Sequence, residues 1–231
     1  MEILSILLMF LFAQNFQFVR QAEADLNGDG TSESITLTST DELGNFTLKV
    51  GNFELKGNLG DTVDGFVIVD VDSSDPYREI GIHTPGPSDD DVFLMLWFNG
   101  REIRTMGILS RWPSFQGNGI VYVDDWMGFW IKREKYVLNK NSRLLDRVPQ
   151  ELYYVGVEAT VKKSFPIYRS RNGLQSIANL REGSKILIFA CDPQDTNYLN
   201  HWYLVKSESG LLGWAKLGNF MEKVQGLPWA D

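Results

Sequence analysis

The feature that most restricts the fold is a two-residue hydrophobic period in the first two-thirds of the chain. Apolar residues occupy alternate positions in "SITLT", "NFTLKV" and "REIGIHT", and no segment before residue 150 has a helical period. Such alternation predicts β-strands with one buried face. "GFVIVDVD" is apolar at successive positions, as is typical of a strand covered on both faces. The sequence therefore predicts an all-β fold.

Two turn signals predict where these strands reverse direction. Asn99-Gly100 separates two strand-like runs, and this dipeptide favours a type I′ hairpin. Gly51-Asn52 predicts a second hairpin over residues 46–56. Adjacent strands joined in this way are antiparallel, so we expect antiparallel sheets.

The charge and the few reactive side chains exclude several classes of function. Thirty acidic residues against 22 basic ones give a formal charge of −8, which repels phosphate backbones and argues against a nucleic-acid partner. The single cysteine, Cys191, has no partner for an internal disulfide and no companions for a zinc site. His83 and His201 lie far apart, without a nucleophile motif near either. We assign no catalytic residue.

The first 18 residues, "MEILSILLMFLFAQNFQF", contain an apolar run from Ile3 to Phe12. This run is too short to span a bilayer and fits the hydrophobic region of a secretory signal. It predicts an exported protein, whether periplasmic, cell-envelope or extracellular, with no stable membrane insertion after processing. The alternative is an apolar N-terminal strand or helix of an intracellular protein.

The segment "DLNGDGTSE" has oxygen-bearing side chains at alternate positions. Asp25, Asn27, Asp29 and Glu33 stand at positions 1, 3, 5 and 9, and Gly30 stands at position 6. Calcium takes six to eight oxygen ligands, and a glycine permits the sharp turn that brings them around one ion. The pattern indicates a calcium loop, with an empty Asx-Gly surface turn as the alternative.

A second acidic segment, "DVDSSDPYREI", begins 45 residues after the first. Asp70, Asp72 and Ser74 match the first three spaced positions, Asp75 replaces the glycine, and Glu79 falls one residue late. This segment predicts that the turn is kept and that the metal site is weaker or lost. A third, fainter copy is expected at Asp124. The predicted unit is a strand, an acidic turn, a strand and a hairpin, which is the organisation of a propeller blade.

The first loop resembles the D-x-D-x-D-G-x-x-D loops of FG-GAP and VCBS repeats, which occur in integrin-type propeller blades. The resemblance implies a structural Ca²⁺ held by the side chains of Asp25, Asn27, Asp29 and Glu33 and by the carbonyl of Thr31. Three units are fewer than a closed propeller needs. The expected first domain is therefore a partial propeller or a sandwich of degenerate blades.

From residue 157 the turns come closer together, and the motifs "LREGSKILI", "WYLV" and "GLLGWAK" occur in order. Short strands joined by such turns predict a small barrel, with Ile186, Ile188, Val205 and Trp214 as core candidates. This segment resembles a bacterial SH3 (SH3b) domain, although "PIYRSRNG" lacks one proline of the family pattern. The candidate ligand-binding residues are Tyr168, Arg169, Trp202, Tyr203 and Trp214.

These observations predict the following organisation: a signal segment at 1–18, a blade-like domain at 19–150, a linker at 151–156, an SH3-like barrel at 157–222 and a tail at 223–231. The expected function is that of a non-catalytic exported binding or adaptor protein that contacts cell-wall glycan, a peptide or an envelope protein. One alternative is a metal-assisted hydrolase that uses His83 and the carboxylates of "PSDDD". The other is an intracellular interaction protein.

Overall fold

The computed structural model describes residues 16–39, 43–86 and 90–229 of the chain. Most of the expected signal segment, residues 1–15, lies outside these ranges. The chain divides into two compact units. The first extends to Asp124 and includes Glu134–Val148, and the second contains Asp125–Arg133 and the chain from Pro149 onward. No helix within the described ranges is long and apolar enough to cross a bilayer.

The first unit is built from three four-stranded antiparallel sheets, each with its strands in sequence order. The first sheet contains β1 (Gln21–Ala24), β2 (Glu33–Ser39), β3 (Asn45–Val50) and β4 (Phe53–Asn58). The middle sheet contains β5 (Gly65–Val69), β6 (Glu79–Thr84), β7 (Val92–Phe98) and β8 (Ile103–Ser110). The third sheet contains β9 (Pro113–Phe115), β10 (Ile120–Trp126), β11 (Ile131–Leu138) and β12 (Leu145–Arg147). The predicted all-β fold is confirmed.

Strands β5, β6 and β7 of the middle sheet are covered on both faces, because one outer sheet packs on each face. Phe66, Ile80, Ile82, Leu94, Leu96 and Phe98 share a core with the first sheet, and Val67, Phe93 and Met95 share another with the third. These two sets alternate along β5 and β7, as opposite faces of a strand require. The continuous apolar run of "GFVIV" is thereby explained, and its predicted two-sided burial is confirmed.

In each sheet of the first unit, a loop joins the first strand to the second. These loops span residues 25–32, 70–78 and 116–119. The first two are the predicted acidic turns. The prediction of a third copy at Asp124 is wrong, because Asp124 lies within β10 and the equivalent loop, "QGNG", carries no carboxylate.

The predicted hairpins are present, but one turn differs in type. Gly51-Asn52 joins β3 to β4, and residues 99–102 join β7 to β8. Of Asn99 and Gly100, only Gly100 has a positive φ, at 83°, whereas a type I′ turn needs both. The side-chain oxygen of Asn99 instead accepts hydrogen bonds from the backbone N–H groups of Arg101 and Glu102, which stabilises a wider turn.

The second unit contains a seven-stranded antiparallel sheet with the order β15-β14-β18-β17-β16-β13-β19. Its strands are β13 (Tyr153–Val161), β14 (Phe165–Tyr168), β15 (Ser176–Leu180), β16 (Lys185–Asp192), β17 (Trp202–Ser207), β18 (Leu212–Lys216) and β19 (Val224–Gln225). One short helix, α1 (Leu217–Phe220), and 3₁₀ turns at Tyr198–Asn200 and Met221–Lys223 complete it. The sheet is open, so the prediction of a closed barrel is wrong.

Several boundaries in the structure differ from the predicted ones. Residues 153–156 of the expected linker belong to β13, and Val224–Gln225 of the expected tail pair with β13 as β19. The tip of the β10–β11 hairpin belongs to the second unit and places Phe129 and Trp130 in its core. At the other end, Phe16 and Phe18 pack on the core shared by the middle and third sheets, so the first unit begins no later than Phe16.

The core candidates of the second unit are confirmed except for one. Ile186, Ile188 and Val205 are buried, and strand alternation places them on the inner face of the sheet. Trp214 is only half-buried, because it lies one position out of phase with the buried Gly213 and Ala215 of β18. It therefore points to the outer face.

Candidate functional site

The first acidic loop folds around its own backbone. The two carboxylate oxygens of Asp25 accept hydrogen bonds from the N–H groups of Gly28 (2.7 Å) and Gly30 (2.8 Å). Asp29 accepts from the N–H of Thr31 at 2.8 Å. This hydrogen bond and one from Asn27 lower the pKa of Asp29 below its ordinary value. Gly28 and Gly30 adopt positive φ angles of 73° and 86°, which glycine allows without strain.

The oxygen-bearing side chains of this loop are of the type that binds calcium, although they do not converge on one point in this structure. Across residues 16–39, 43–86 and 90–229, no three His, Cys, Asp or Glu side chains form a preformed metal site. A carboxylate oxygen has two lone pairs, so each oxygen of Asp25 keeps one after accepting a backbone N–H. The oxygens of Asn27, Asp29 and Glu33 and the carbonyl of Thr31 complete an oxygen-only set of the type that calcium prefers.

One hydrogen-bond pattern relates the first two loops. Glu33 accepts the N–H of Leu26 at 2.9 Å, and Glu79 accepts the N–H of Val71 at 2.9 Å. Leu26 and Val71 each follow the first aspartate of their loop. Glu33 and Glu79 are therefore structural equivalents despite the extra residue in the second loop.

Leu26 and Val71 also connect each loop to the next one along the chain. The carbonyl of Leu26 accepts the N–H of Arg78 at 3.1 Å, and the carbonyl of Val71 accepts the N–H of Gly119 at 2.8 Å. Arg78 and Gly119 each immediately precede the second strand of their sheet. The three loops therefore lie side by side, and the relation between the sheets is a true structural repeat.

In the second loop, basic side chains from the β11–β12 turn contact the carboxylates. The guanidinium of Arg143 bonds to Asp75 at 2.5 Å and to Glu79 at 2.6 Å. The ammonium of Lys140 lies 2.7 Å from an oxygen of Asp72. Glu79 is fully buried, and Asp72 is 2% exposed. The second loop is therefore neutralised by protein cations.

These contacts separate the predicted ligands of the second loop. Asp70 is exposed, and Ser74 donates a 2.6 Å hydrogen bond to Asp72. The hydrogen bond from Lys140, together with those from Ser74, lowers the pKa of Asp72 to about 2. Burial raises the pKa of Glu79 to about 7, and the Val71 N–H and Arg143 oppose that rise. Asp72 pairs with Lys140 and Glu79 pairs with Arg143, so the two carboxylates do not share one site.

No sequence pattern indicates the role of Arg143. It is 6% exposed and has a φ of 60°, in the left-handed region that non-glycine residues rarely adopt. Its guanidinium carbon lies 4.9 Å from the ring centre of Tyr77 and 5.4 Å from that of Trp97. The residues that hold it are distant in sequence, so no local motif reveals the contact.

His83 is buried, and carboxylates contact both of its ring nitrogens. It is 2% exposed, and its two ring nitrogens lie 2.8 Å from Asp64 and 2.9 Å from Asp91. The ring of Phe18 stacks on its imidazole at 4.0 Å between centroids. A metal ligand needs a free lone pair on nitrogen, and both nitrogens are engaged here by carboxylates. This geometry lends no support to a hydrolase site at His83. Pro87–Asp89 lie outside the described residues.

In the second unit, three of the predicted ligand-binding residues share the outer face of the sheet. Tyr168 pairs with Trp214 across β14 and β18, and Trp202 lies on β17 beside them. All three are half-buried, and the rings of Tyr168 and Trp202 make an edge contact at 6.3 Å. Two cations lie over the indole rings: Arg171 over Trp214 at 5.5 Å and Lys216 over Trp202 at 5.3 Å.

Tyr203 does not belong to this face. It is 1% exposed, and its hydroxyl accepts a hydrogen bond from the indole N–H of Trp130 at 3.2 Å. The prediction that it contacts ligand is wrong, because alternation along β17 turns it into the core while Trp202 points out. Arg169 is exposed beside Tyr168. Cys191 is also buried, which raises its thiol pKa to about 12 and keeps it unreactive.

A cavity of about 300 Å³ opens beside Trp202. It is lined by Asp192, Gln194, Asp195, Asn200, Trp202 and Lys216. It therefore combines one indole with carboxylate, amide and ammonium groups. Arg171 bonds to both Asp192 and Glu151, which fixes the carboxylate on the cavity wall. Apart from Trp202, sequence reasoning missed this lining because most of it comes from the connection between β16 and β17.

Comparison with known proteins adds no relative: no family model, no curated protein and no solved structure matches the chain.

Proposed function

We propose that this chain is a non-catalytic exported binding protein, with a calcium-stabilised first unit and a second unit that binds a cell-wall glycan. The observation that carries the proposal is the cavity beside Trp202. Its single aromatic wall and its polar remainder suit a ligand that has both apolar C–H faces and many hydroxyl groups.

The lining favours a sugar over an apolar peptide. An indole ring offers a flat apolar surface, and convergent polar side chains fix a ligand's orientation. Asp192 and Asp195 accept hydrogen bonds from hydroxyls, Gln194 and Asn200 both donate and accept, and Lys216 donates. Sugar rings present these complementary groups around their rim. The sequence motifs that resemble SH3b domains favour an envelope ligand, although the sheet of this unit is open.

The test is sedimentation of the full-length protein with purified cell-wall sacculi. Trp202→Ala is expected to weaken binding about tenfold or more, because stacked aromatic anchors dominate binding energy. Tyr154→Ala is the matched control, since Tyr154 is 69% exposed in the same unit and does not line the cavity. Equal retention of wild type and Trp202→Ala would disprove the glycan assignment.

The export part of the proposal rests on the apolar run at Ile3–Phe12. Expression of the full chain followed by fractionation should give protein outside the cytoplasm. Recovery of only cytoplasmic protein with an intact Met1 would contradict export and leave the binding site untouched.

A further inference from the structure

We infer that Arg143 is a tethered cation: its guanidinium pairs with Asp75 and Glu79 in the second acidic loop and neutralises them as a bound metal ion would. The loop would then be closed by the protein's own charge and would need no metal. The inference stands independently of the glycan site and concerns how the first unit is held together.

The first support is the repeat itself. Glu33 and Glu79 bind equivalent backbone N–H groups, so the two loops share one carboxylate framework. In the first loop, Asp25 and Asp29 are bonded to backbone N–H groups. In the second, Asp75 and Glu79 converge on one guanidinium. The second loop thus has a buried cation between two of its carboxylates.

The second support is the burial of this cation. The Arg143 side chain is 7% exposed, Glu79 is 0% exposed and Asp75 is 18% exposed. A buried charge is tolerated only when it is paired and hydrogen-bonded. Arg143 thus does for Glu79 what a bound ion would do: it compensates a carboxylate that water does not reach.

The third support is the conformation that delivers the side chain. Arg143 stands in the β11–β12 turn with a φ of 60°, a conformation with a steric cost for any residue that has a Cβ. Its backbone N–H bonds to the carbonyl of Asn139 at 2.7 Å, which closes the turn. Tyr77 and Trp97 flank the guanidinium. The contacts of the guanidinium with two rings and two carboxylates compensate the steric cost of this turn.

Lys140 extends the same arrangement. It reaches Asp72 at 2.7 Å and the hydroxyl of Ser74 at 3.3 Å. Asp72, Asp75 and Glu79 thus face two cations supplied by one turn. Removal of the guanidinium leaves Asp75 and Glu79 around a space of its size. Such a space should accept a small cation from solution, either a free guanidinium or a divalent metal.

The experiment uses the full chain with Asp29→Ala as background, which silences the first loop. Arg143→Ser in this background should lower the Tm by about 10 °C, because it leaves the buried carboxylate of Glu79 and the partly buried carboxylate of Asp75 unpaired. Millimolar methylguanidinium or calcium should then restore part of the loss. The background protein itself should show no such gain.

The matched control is Arg147→Ser, which removes an arginine that pairs with Glu134 and is 54% exposed. It should lose little stability and gain nothing from either cation. If Arg143→Ser does not fold, the same additives should restore its circular-dichroism signal. Failure of both cations to act on Arg143→Ser, or an equal response from Arg147→Ser, would overturn the inference.

A second pair of variants separates charge from packing. Arg143→Lys keeps the charge, and Arg143→Met keeps most of the volume without it. The tethered-cation role requires the lysine variant to have the higher Tm. A methionine variant as stable as the lysine variant would assign Arg143 a packing role and refute the inference.

Discussion

The two acidic loops of the first unit show how one backbone framework can be neutralised in two ways. In the loop at residues 25–32, the carboxylates of Asp25 and Asp29 bind the loop's own N–H groups and remain near solvent. In the loop at 70–78, Asp75 and Glu79 bind a buried arginine from another sheet. The first loop keeps oxygen lone pairs for an added ion. In the second loop the cation is a side chain of the protein itself.

The difference follows from position in the stack of sheets. The first sheet is an outer layer, while the loop at 70–78 belongs to the middle sheet and has a neighbouring loop on each side. Greater burial raises the cost of an unpaired carboxylate. An arginine side chain cannot dissociate as a bound ion can, so it keeps the more deeply buried carboxylate paired.

The largest expected effect comes from the equivalent glutamates. Glu79→Gln should destabilise the protein by about 3–5 kcal/mol, because it removes a charge partner of buried Arg143. It also turns an amide N–H₂ toward either Arg143 or the N–H of Val71. Glu33→Gln should cost about 1 kcal/mol or less, because its remaining oxygen can still accept the N–H of Leu26. Urea unfolding measures both, and equal losses would remove the distinction between the loops.

The next effect concerns two glycines of the first loop. A Cβ on Gly28 would lie 2.3 Å from the Cβ of Pro76, whereas one on Gly30 would meet nothing within 4 Å. Gly28→Ala should cost about 2–4 kcal/mol through strain and overpacking, and Gly30→Ala about 1–2 kcal/mol through strain alone. Thermal unfolding compares the two. Similar losses would mean that the first two loops do not rely on close packing.

A smaller effect is expected from calcium. At about ten times its dissociation constant, an ion that binds the folded state alone adds about 1.4 kcal/mol of stability. Wild type should therefore show a rise in Tm with calcium, and Asp29→Ala should not. Asp72→Asn should keep the rise, because its loop is served by Lys140. If Asp72→Asn abolished the calcium effect, the ion would lie in the second loop, which would contradict the proposed difference between the two loops.

The smallest effect is a pH dependence from Asp72. Its pKa in the folded protein, about 2, lies below the ordinary value of 3.8, so its contribution to stability is present above pH 3.8. That contribution is lost as the pH falls from 3.8 through about 2. Lys140→Met should flatten this acid-induced loss relative to wild type in urea unfolding at several pH values. Parallel profiles would show that Lys140 does not hold the carboxylate ionised.

Much of the architecture could be predicted from local patterns. Alternation along "SITLT" and "NFTLKV" reported one-sided strands, and the unbroken apolar run of "GFVIV" reported a strand buried on both sides. The open seven-stranded sheet could not be predicted, because strand order depends on pairings such as that of β19 with β13. These pairings join segments that are remote in sequence, and no composition signal encodes them.

The candidate sites show the same limit. The spacing of Asp25, Asn27 and Asp29 is a local signal, and the turn they form lies between two strands as expected. Arg143 contacts residues 64 and 68 positions away, and its left-handed backbone carries no glycine to announce it. Tyr203 was misassigned because a strand places its aromatic residues on alternate faces, and the sequence did not reveal which face was the inner one.

Because the hairpin tip at Asp125–Arg133 belongs to the second unit, no single cut in the chain separates the two units. A fragment that starts at residue 151 lacks Phe129 and Trp130, which are both core residues of the second unit. A fragment that stops at 150 carries these two aromatic residues without the strands that cover them. On the ribosome, the tip must also wait for about 100 further residues before the strands of its core are complete. A fusion or deletion designed at a simple cut near residue 150 would therefore expose apolar surface on both products.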